Sequence, residues 1–231
     1  TTSAAARGSA QAGISNYSGF FFVKGDAQMV KKLILVVAMV FGICPLLMGI
    51  APKSVVFAGP GGEFSIPGVG SMNLPDWLEA TAAIGLENQP NAGLQYDLVG
   101  FSKDTWHYGR LVTYKLNQNL GVASLLFGVA ESNPQVLGEL ARPLLAKSLA
   151  ENGGRILEWA PAKKALFGGR NVPVINARLI MTEKIPLPMA ATVYVFMHRD
   201  RLTAVGLFSP DSDRLFWNQQ FRQLAASLHW E

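Results

Sequence analysis

Cysteine is nearly absent from this 231-residue sequence, which contains only Cys44. A lipid-modified cysteine would follow a small residue and end an apolar run, whereas Ile43 precedes Cys44 and the run continues to Ile50. Lipidation is therefore not expected. Because no cysteine follows position 44, the rest of the chain can form no disulfide, and its core must be stable without covalent cross-links.

An excess of one charge is also absent from most of the chain. Residues 1–58 contain five of the 20 Lys and Arg and one of the 16 Asp and Glu, so residues 59–231 contain fifteen of each and have no net charge. The overall charge of +4 therefore belongs to the N-terminal quarter. A neutral domain has no general electrostatic attraction to a phosphate backbone. The sequence accordingly predicts no nucleic-acid partner.

Motifs for catalysis and cofactor binding are missing as well. No serine lies in a Gly-x-Ser-x-Gly context, and residues 59–62 lack the Lys-Ser/Thr of a phosphate-binding loop. We predict a non-enzyme with no catalytic residue, no cofactor and no metal site. The alternative is an extracytoplasmic hydrolase or metal-dependent enzyme that uses Asp104 and His107, together with the nearby Asp97.

The first 28 residues are rich in Ala, Ser and Gly and show no periodicity. The first methionine is Met29, and residues 24–26 (Lys-Gly-Asp) can be encoded by the purine-rich sequence AAAGGAGAT, which is typical of a bacterial ribosome-binding site. We therefore expect residues 1–28 to be an untranslated leader read in frame. A disordered N-terminal extension is the alternative.

Residues 29–58 have the pattern of an export signal. Two lysines precede an uncharged apolar run at residues 33–50, and Val56-Phe57-Ala58 offers a cleavage motif, so we expect cleavage after Ala58. The run is longer than the usual apolar region of about 7–15 residues and approaches the ~20 that span a bilayer. An uncleaved anchor is therefore the alternative, and membrane contact is then confined to residues 33–50. Both hypotheses place the following domain outside the cytoplasm, periplasmic or secreted.

Residues 59–231 are long enough for one domain with its own core. The apolar patterns predict an opening strand at 64–66, an ambiguous segment at 74–84 and a loop at 163–171. The other predicted strands are 94–101, 106–116, 155–159, 175–182, 190–198 and 202–208.

Two helices are predicted in the same domain. The first begins at Asn133 and Pro134 and ends at Gly153-Gly154. The second follows Ser209-Pro210-Asp211, with its apolar residues at helical spacing and His229 at its end. The order β-β-β-α-β-β-β-β-α predicts an α+β fold, an antiparallel β-sheet with helices packed on it.

Several of these segments resemble the PsbP-like fold group, nearest to its bacterial DcrB-like exported members. The resemblance covers about residues 137–229 and the first strand. It rests on Phe64-Ser65-Ile66-Pro67, Gly153-Gly154, Gly168-Gly169, the aromatic strand Tyr194–Met197 and the final Phe221–Leu228 segment.

The resemblance implies a PsbP-like sandwich and a non-catalytic accessory or binding role, because the group contains photosystem accessory subunits, envelope proteins and a binder of a small GTPase. The function predicted from sequence is therefore that of an exported accessory or binding protein of the bacterial cell envelope. The expected partner is another envelope protein or an envelope component.

Overall fold

The computed structural model describes residues 61–66, 68–81, 96–104, 106–116, 127–151, 153–183 and 185–231. The predicted leader, the export segment and its cleavage position Ala58 lie outside the described residues, so these remain predictions. None of the helices in the described ranges is long and apolar enough to cross a membrane.

The described residues form eleven strands, two α-helices and a 3-10 turn, and residues 127–132 are also helical. The α-helices are α1 (Pro134–Glu151) and α2 (Arg214–Ala226). The strands are β1 (Gly62–Ile66), β2 (Gly70–Leu74), β3 (Glu79–Thr81), β4 (Tyr96–Ser102), β5 (Tyr108–Lys115), β6 (Arg155–Trp159), β7 (Lys163–Phe167), β8 (Arg170–Thr182), β9 (Ile185–His198), β10 (Arg201–Pro210) and β11 (His229–Trp230).

The described strands form two sheets, and all strand pairs in both sheets are antiparallel. A large sheet has the order β3-β4-β5-β10-β9-β8-β6, and β7 also pairs with β8. The outer side of β8 is thus occupied by β7 along residues 170–174 and by β6 along residues 177–180. A small sheet has the order β1-β2-β11.

Both helices pack on this framework. α1 packs against β6, β7 and β8, and α2 packs against β7, β10 and β2. Trp217, Phe221 and Leu224 of α2 are buried, as their helical spacing predicts. The predicted α+β class, an antiparallel sheet with helices packed on it, is confirmed. Tyr194, Val195 and Phe196 of β9 are all buried, so this central strand is covered on both faces.

The segment at 163–171, predicted to be a loop, is instead the hairpin of β7 and β8. Gly168 and Gly169 both have positive φ angles (55° and 75°) and form the two-residue turn. Such turns match the twist of paired strands and favour glycine. Lys163 and Lys164 of that segment are exposed residues of an outer strand, where charged side chains are common.

Other boundaries also differ from the sequence expectations. Within the ambiguous segment 74–84, β3 is extended rather than helical and pairs with β4. β9 begins at residue 185 instead of 190, and Pro186 and Pro188 lie beyond its last pair with β10, where β9 has a neighbour on one side only. α1 continues through Pro143 as one helix.

The C-terminal segment also contradicts one prediction. Residues Asp211–Asp213 form a 3-10 turn, so α2 begins at Arg214. α2 ends at Ala226, and His229 lies in β11, which pairs with β2 instead of ending the helix. The chain end is therefore part of the small sheet.

Candidate functional site

A cleft with a volume of about 680 Å³ opens between α2 and the large sheet. β8 and β9 form its floor, residues 158–165 form one wall, and α2 forms the other. Asn176 and Arg178 occupy alternate positions of β8 and line the floor, whereas Ile175 and Leu179, which flank them, are fully buried in the core. The polar residues of a central strand thus mark the face that meets the cleft.

Two arginines of the cleft are neutralised by carboxylates. Arg178 donates through Nη1 to Glu158 Oε2 at 3.2 Å, and its Nη2 is 2.6 Å from Asp211 Oδ2. Arg214 Nη1 lies 3.5 Å from Asp211 Oδ1. These ion pairs connect β6, β8 and the start of α2, so their charges largely cancel at that end of the cleft.

Three further cations line the cleft and form no ion pair with any described residue. Lys163 and Lys164 lie on β7, and Arg222 lies on the opposite wall in α2. All three side chains are exposed. Because residues 59–231 carry no net charge, this positive charge is a local property of the cleft.

The floor adds neutral polar groups. Thr192 Oγ1 donates to Asn176 Oδ1 at 3.0 Å, and both residues line the cleft. Burial raises the pKa of Tyr194, and the neighbouring Arg222 offsets part of that rise. The phenol of Tyr194 therefore stays protonated at neutral pH and can donate a hydrogen bond.

The start of α2 carries two exposed apolar side chains. Leu215 lines the cleft and is 81% exposed, and the adjacent Phe216 is 58% exposed. Phe216 rests edge-on against the buried Trp217, with 5.5 Å between the ring centroids. Adjacent exposed apolar residues at the edge of a polar cleft are typical of a binding surface.

The predicted pair Asp104 and His107 does come together, and a third residue joins it. His107 Nδ1 lies 2.8 and 2.9 Å from the two oxygens of Asp104, and Nε2 lies 2.7 Å from Asp213 Oδ2. Trp217 Nε1 donates to the same Asp213 oxygen at 3.1 Å. We call Asp104, His107 and Asp213 the histidine cluster. It joins the loop between β4 and β5 to the start of α2.

The histidine cluster does not have the geometry of an acid–base or metal site. Both ring nitrogens of His107 lie within 2.9 Å of carboxylate oxygens, so neither nitrogen is open to a substrate or a metal ion. A general base or a metal ligand needs a ring nitrogen that is free to accept a proton or to bind the metal. Asp97 lies on β4 opposite Thr113, several residues along the strand from Asp104. Among the described residues, no group of three His, Cys, Asp or Glu could hold a metal ion.

The pKa values of both carboxyls in the histidine cluster are lowered. Burial by itself raises the pKa of Asp104, but hydrogen bonds from His107 and from the backbone N–H groups of Trp106 and His107 outweigh it. Burial likewise raises the pKa of Asp213, and hydrogen bonds from His107, Ser212 and Trp217 outweigh that effect. Carboxyls with lowered pKa values stabilise the fold while they are ionised.

We expect the stability contributed by the histidine cluster to be lost in acid. The contribution is complete above the unfolded-state pKa of about 3.9 and disappears as the pH falls through the lower folded-state values. Asp213→Asn should lower the free energy of unfolding by about 1 kcal/mol at pH 7 and should make unfolding less dependent on pH below about 4. Urea unfolding between pH 7 and pH 3 measures both effects. Glu63→Gln, an exposed residue of β1, should change neither, and equal curves for D213N and wild type would disprove the role of the cluster.

Sequence reasoning did not find the cleft. The sequence predicts Lys163 and Lys164 to lie in the loop at 163–171, and Arg222 is one of two arginines on α2. The one available signal was the pair Asn176 and Arg178, polar residues at alternate positions of a strand that is otherwise apolar. Their placement indicates a polar face of β8. The sequence does not show that this face forms a cleft, because the wall opposite it is α2, about forty positions later.

No protein-family model and no curated protein matches the sequence. Solved structures do match. Cyanobacterial PsbP (CyanoP) from Synechocystis sp. PCC 6803 is 12% identical with a TM-score of 0.49, covering 79% of this chain and 99% of that one. PA94 of Pseudomonas aeruginosa, a protein of unknown function, is 11% identical with a TM-score of 0.37, covering 74% and 97%. LpqN of Mycobacterium tuberculosis, involved in cell envelope biogenesis, is 10% identical with a TM-score of 0.34, covering 75% and 89%.

A PsbP, a member of the fold group that the sequence resembles, is thus among the structures similar to this chain. At identities of 10–12% and TM-scores below 0.5, the likeness identifies neither a ligand nor a partner.

Proposed function

We propose that the chain is an exported accessory or binding protein of the bacterial cell envelope and that it acts by binding rather than by catalysis. The observation that carries this proposal is the cleft beside α2, with a polar floor, cations on two walls and Leu215 exposed at its edge. A concave site with a few convergent polar groups is the usual form of a ligand-binding site. The export segment at residues 29–58 supports the extracytoplasmic location.

The histidine cluster favours binding over the enzymatic alternative. Both ring nitrogens of His107 are engaged by the carboxylates of Asp104 and Asp213, so none of these three side chains is free for a substrate. A hydrolase that used Asp104 and His107 would have to break this cluster before each proton transfer. The cluster instead fixes the start of α2, which forms one wall of the cleft.

Site-specific photocrosslinking in the native host tests the proposed function. A photoreactive amino acid at position 215 should crosslink to an envelope component, and the charge reversals Lys163→Glu and Arg222→Glu should abolish the crosslink. The matched control is position 144, an exposed leucine of α1 (38%) that is not among the residues lining the cleft. Equal crosslinking from both positions, or a crosslink insensitive to the charge reversals, would contradict the proposal.

Cell fractionation tests the location separately. We expect the protein outside the cytoplasm, with a processed N-terminus near Gly59 if the signal is cleaved, or in the membrane fraction if residues 33–50 remain as an anchor. Recovery of the protein in the cytoplasmic fraction would contradict export under either hypothesis.

A further inference from the structure

We propose that the ligand of the cleft is a small organic dianion, a dicarboxylate or a phosphate monoester. This inference rests on the proposed function, because it assumes that the cleft is the binding site. Beyond the proposed function, the inference specifies the charge and the size of the ligand.

The charge follows from the distribution of ion pairs in the cleft. Glu158 and Asp211 are already paired with Arg178 and Arg214, which leaves the lysines of β7 and Arg222 without a carboxylate partner among the described residues. Lys163 on β7 shares the strand face of Val174 and Tyr194, and Arg222 lies on α2, so cations face the cleft from both walls. A ligand with two negative charges matches two such walls better than a monoanion does, a dicarboxylate through its two ends and a phosphate monoester through the several oxygens of one group.

The polar groups of the floor favour the same chemistry. The Tyr194 phenol is buried and neutral, and the amide NH₂ of Asn176 keeps its donors while its oxygen accepts from Thr192. Arg222 is close enough to Tyr194 to affect the pKa of its phenol. Carboxylate and phosphate oxygens accept from arginine, lysine, phenol and amide donors alike. The lining of the cleft therefore offers more hydrogen-bond donors than acceptors to a ligand.

The size of the cleft favours a small molecule over a folded partner. Its volume of about 680 Å³ falls within the range of about 300–1,000 Å³ that is typical of small-molecule sites. Alanines at positions 177, 190 and 191 of the floor and at position 160 of one wall add small, weakly apolar residues to the lining. Such a lining suits the short carbon chain or ring of a small anion.

The test is a titration of the purified protein with three ligands of equal size and decreasing charge: succinate, succinamate and succinamide. Binding is monitored through the NMR signals of the backbone amides. Succinate should shift the amides of residues 163–165, 176–178 and 222, succinamate should bind about fivefold to tenfold more weakly, and succinamide should not bind. Phenyl phosphate distinguishes a phosphate ligand from a dicarboxylate. Binding of either dianion should weaken as NaCl is raised.

The matched variants are Arg222→Gln and Lys147→Gln. Arg222→Gln should weaken dianion binding by about fivefold to tenfold. Lys147→Gln removes an exposed cation of α1 outside the cleft and should leave binding unchanged. Equal binding of succinate and succinamide, equal affinity of R222Q and wild type, or dissociation constants above about 10 mM for both dianions would overturn the inference.

An acidic peptide provides the last arm of the test. If the peptide binds in the cleft and neither dianion does, the inference is wrong. The proposed function survives that outcome when the crosslink from position 215 is retained. If the crosslink is lost while the dianions still bind, the proposed envelope partner is contradicted, and the inference of a small-molecule site in the cleft stands.

Discussion

Replacing Phe167 by alanine is expected to lower the free energy of unfolding by about 3–5 kcal/mol, because the change leaves a cavity where a fully buried ring was. Phe167 is 1% exposed at the end of β7, and its ring lies 5.0 Å from that of Tyr194 and 5.2 Å from that of Phe196. Tyr194 belongs to the floor of the cleft. The substitution should therefore disturb ligand binding as well as stability.

The neighbouring residue on the same strand provides the control. Leu166 is also apolar but 65% exposed, so Leu166→Ala should change the free energy of unfolding by less than about 0.5 kcal/mol. Urea unfolding of the two variants, monitored by tryptophan fluorescence, gives both values. Similar losses for L166A and F167A would contradict the assignment of β7 as a strand with one buried and one exposed face.

The difference between these two residues also explains what the sequence could and could not predict. β9 and β10 were predicted because their apolar residues continue along a whole strand, and burial on both faces requires such a run. β7 has five residues, two of them lysines, and pairs with β8 on one side only. Its pattern is too short and too polar to be distinguished from a loop.

The histidine cluster and the cleft also differ in how far the sequence predicts them. His107 and Asp104 are three residues apart, and a short loop brings them together, so the pair was visible in the sequence. Asp213 is 106 residues from His107 and joins them only because α2 packs beside that loop. The candidate catalytic pair of the sequence is therefore, in the structure, part of a cluster in which one histidine lies between two carboxylates.

The cleft depends entirely on tertiary packing. Its walls come from β7 and from α2, which are about fifty residues apart in the sequence, and each cation alone has the pattern of an ordinary surface charge. Composition showed only that the domain is neutral overall. The position of α2 over the outer part of the sheet gathers several cations of a neutral domain in one cleft, so the matching excess of negative charge lies elsewhere on the domain.

Replacing Gly70 by alanine is expected to detach the C-terminal strand and to lower the free energy of unfolding by about 3 kcal/mol. Gly70 has a φ angle of 150°, and a Cβ there would overlap the backbone carbonyl of His229 and approach the Cα of Trp230 to 3.0 Å. Both are backbone atoms of β11, which pairs with β2 at this point. The clash can be relieved only if β11 moves away.

The loss is large because Trp230 would leave its contacts. Its Nε1 donates to Gly168 O at 2.6 Å, its ring meets Phe196 edge-on at 5.1 Å, and the guanidinium of Arg170 lies 4.0 Å above it. His198 would lose the Glu231 carbonyl oxygen that lies 3.2 Å from its Nε2. These contacts connect the chain end to the turn between β7 and β8, so the detached strand should also loosen one wall of the cleft.

Gly62→Ala separates the steric clash from the backbone strain. Gly62 also has a positive φ angle, 96°, but nothing lies within 4 Å of the position where its Cβ would be. G62A should therefore cost only the strain of about 1–2 kcal/mol, and its C-terminus should resist carboxypeptidase as well as wild type does. In G70A, carboxypeptidase should release Glu231 and Trp230 rapidly under native conditions. If G70A and G62A lost the same stability and both kept their C-termini protected, the pairing of β2 with β11 would be disproved.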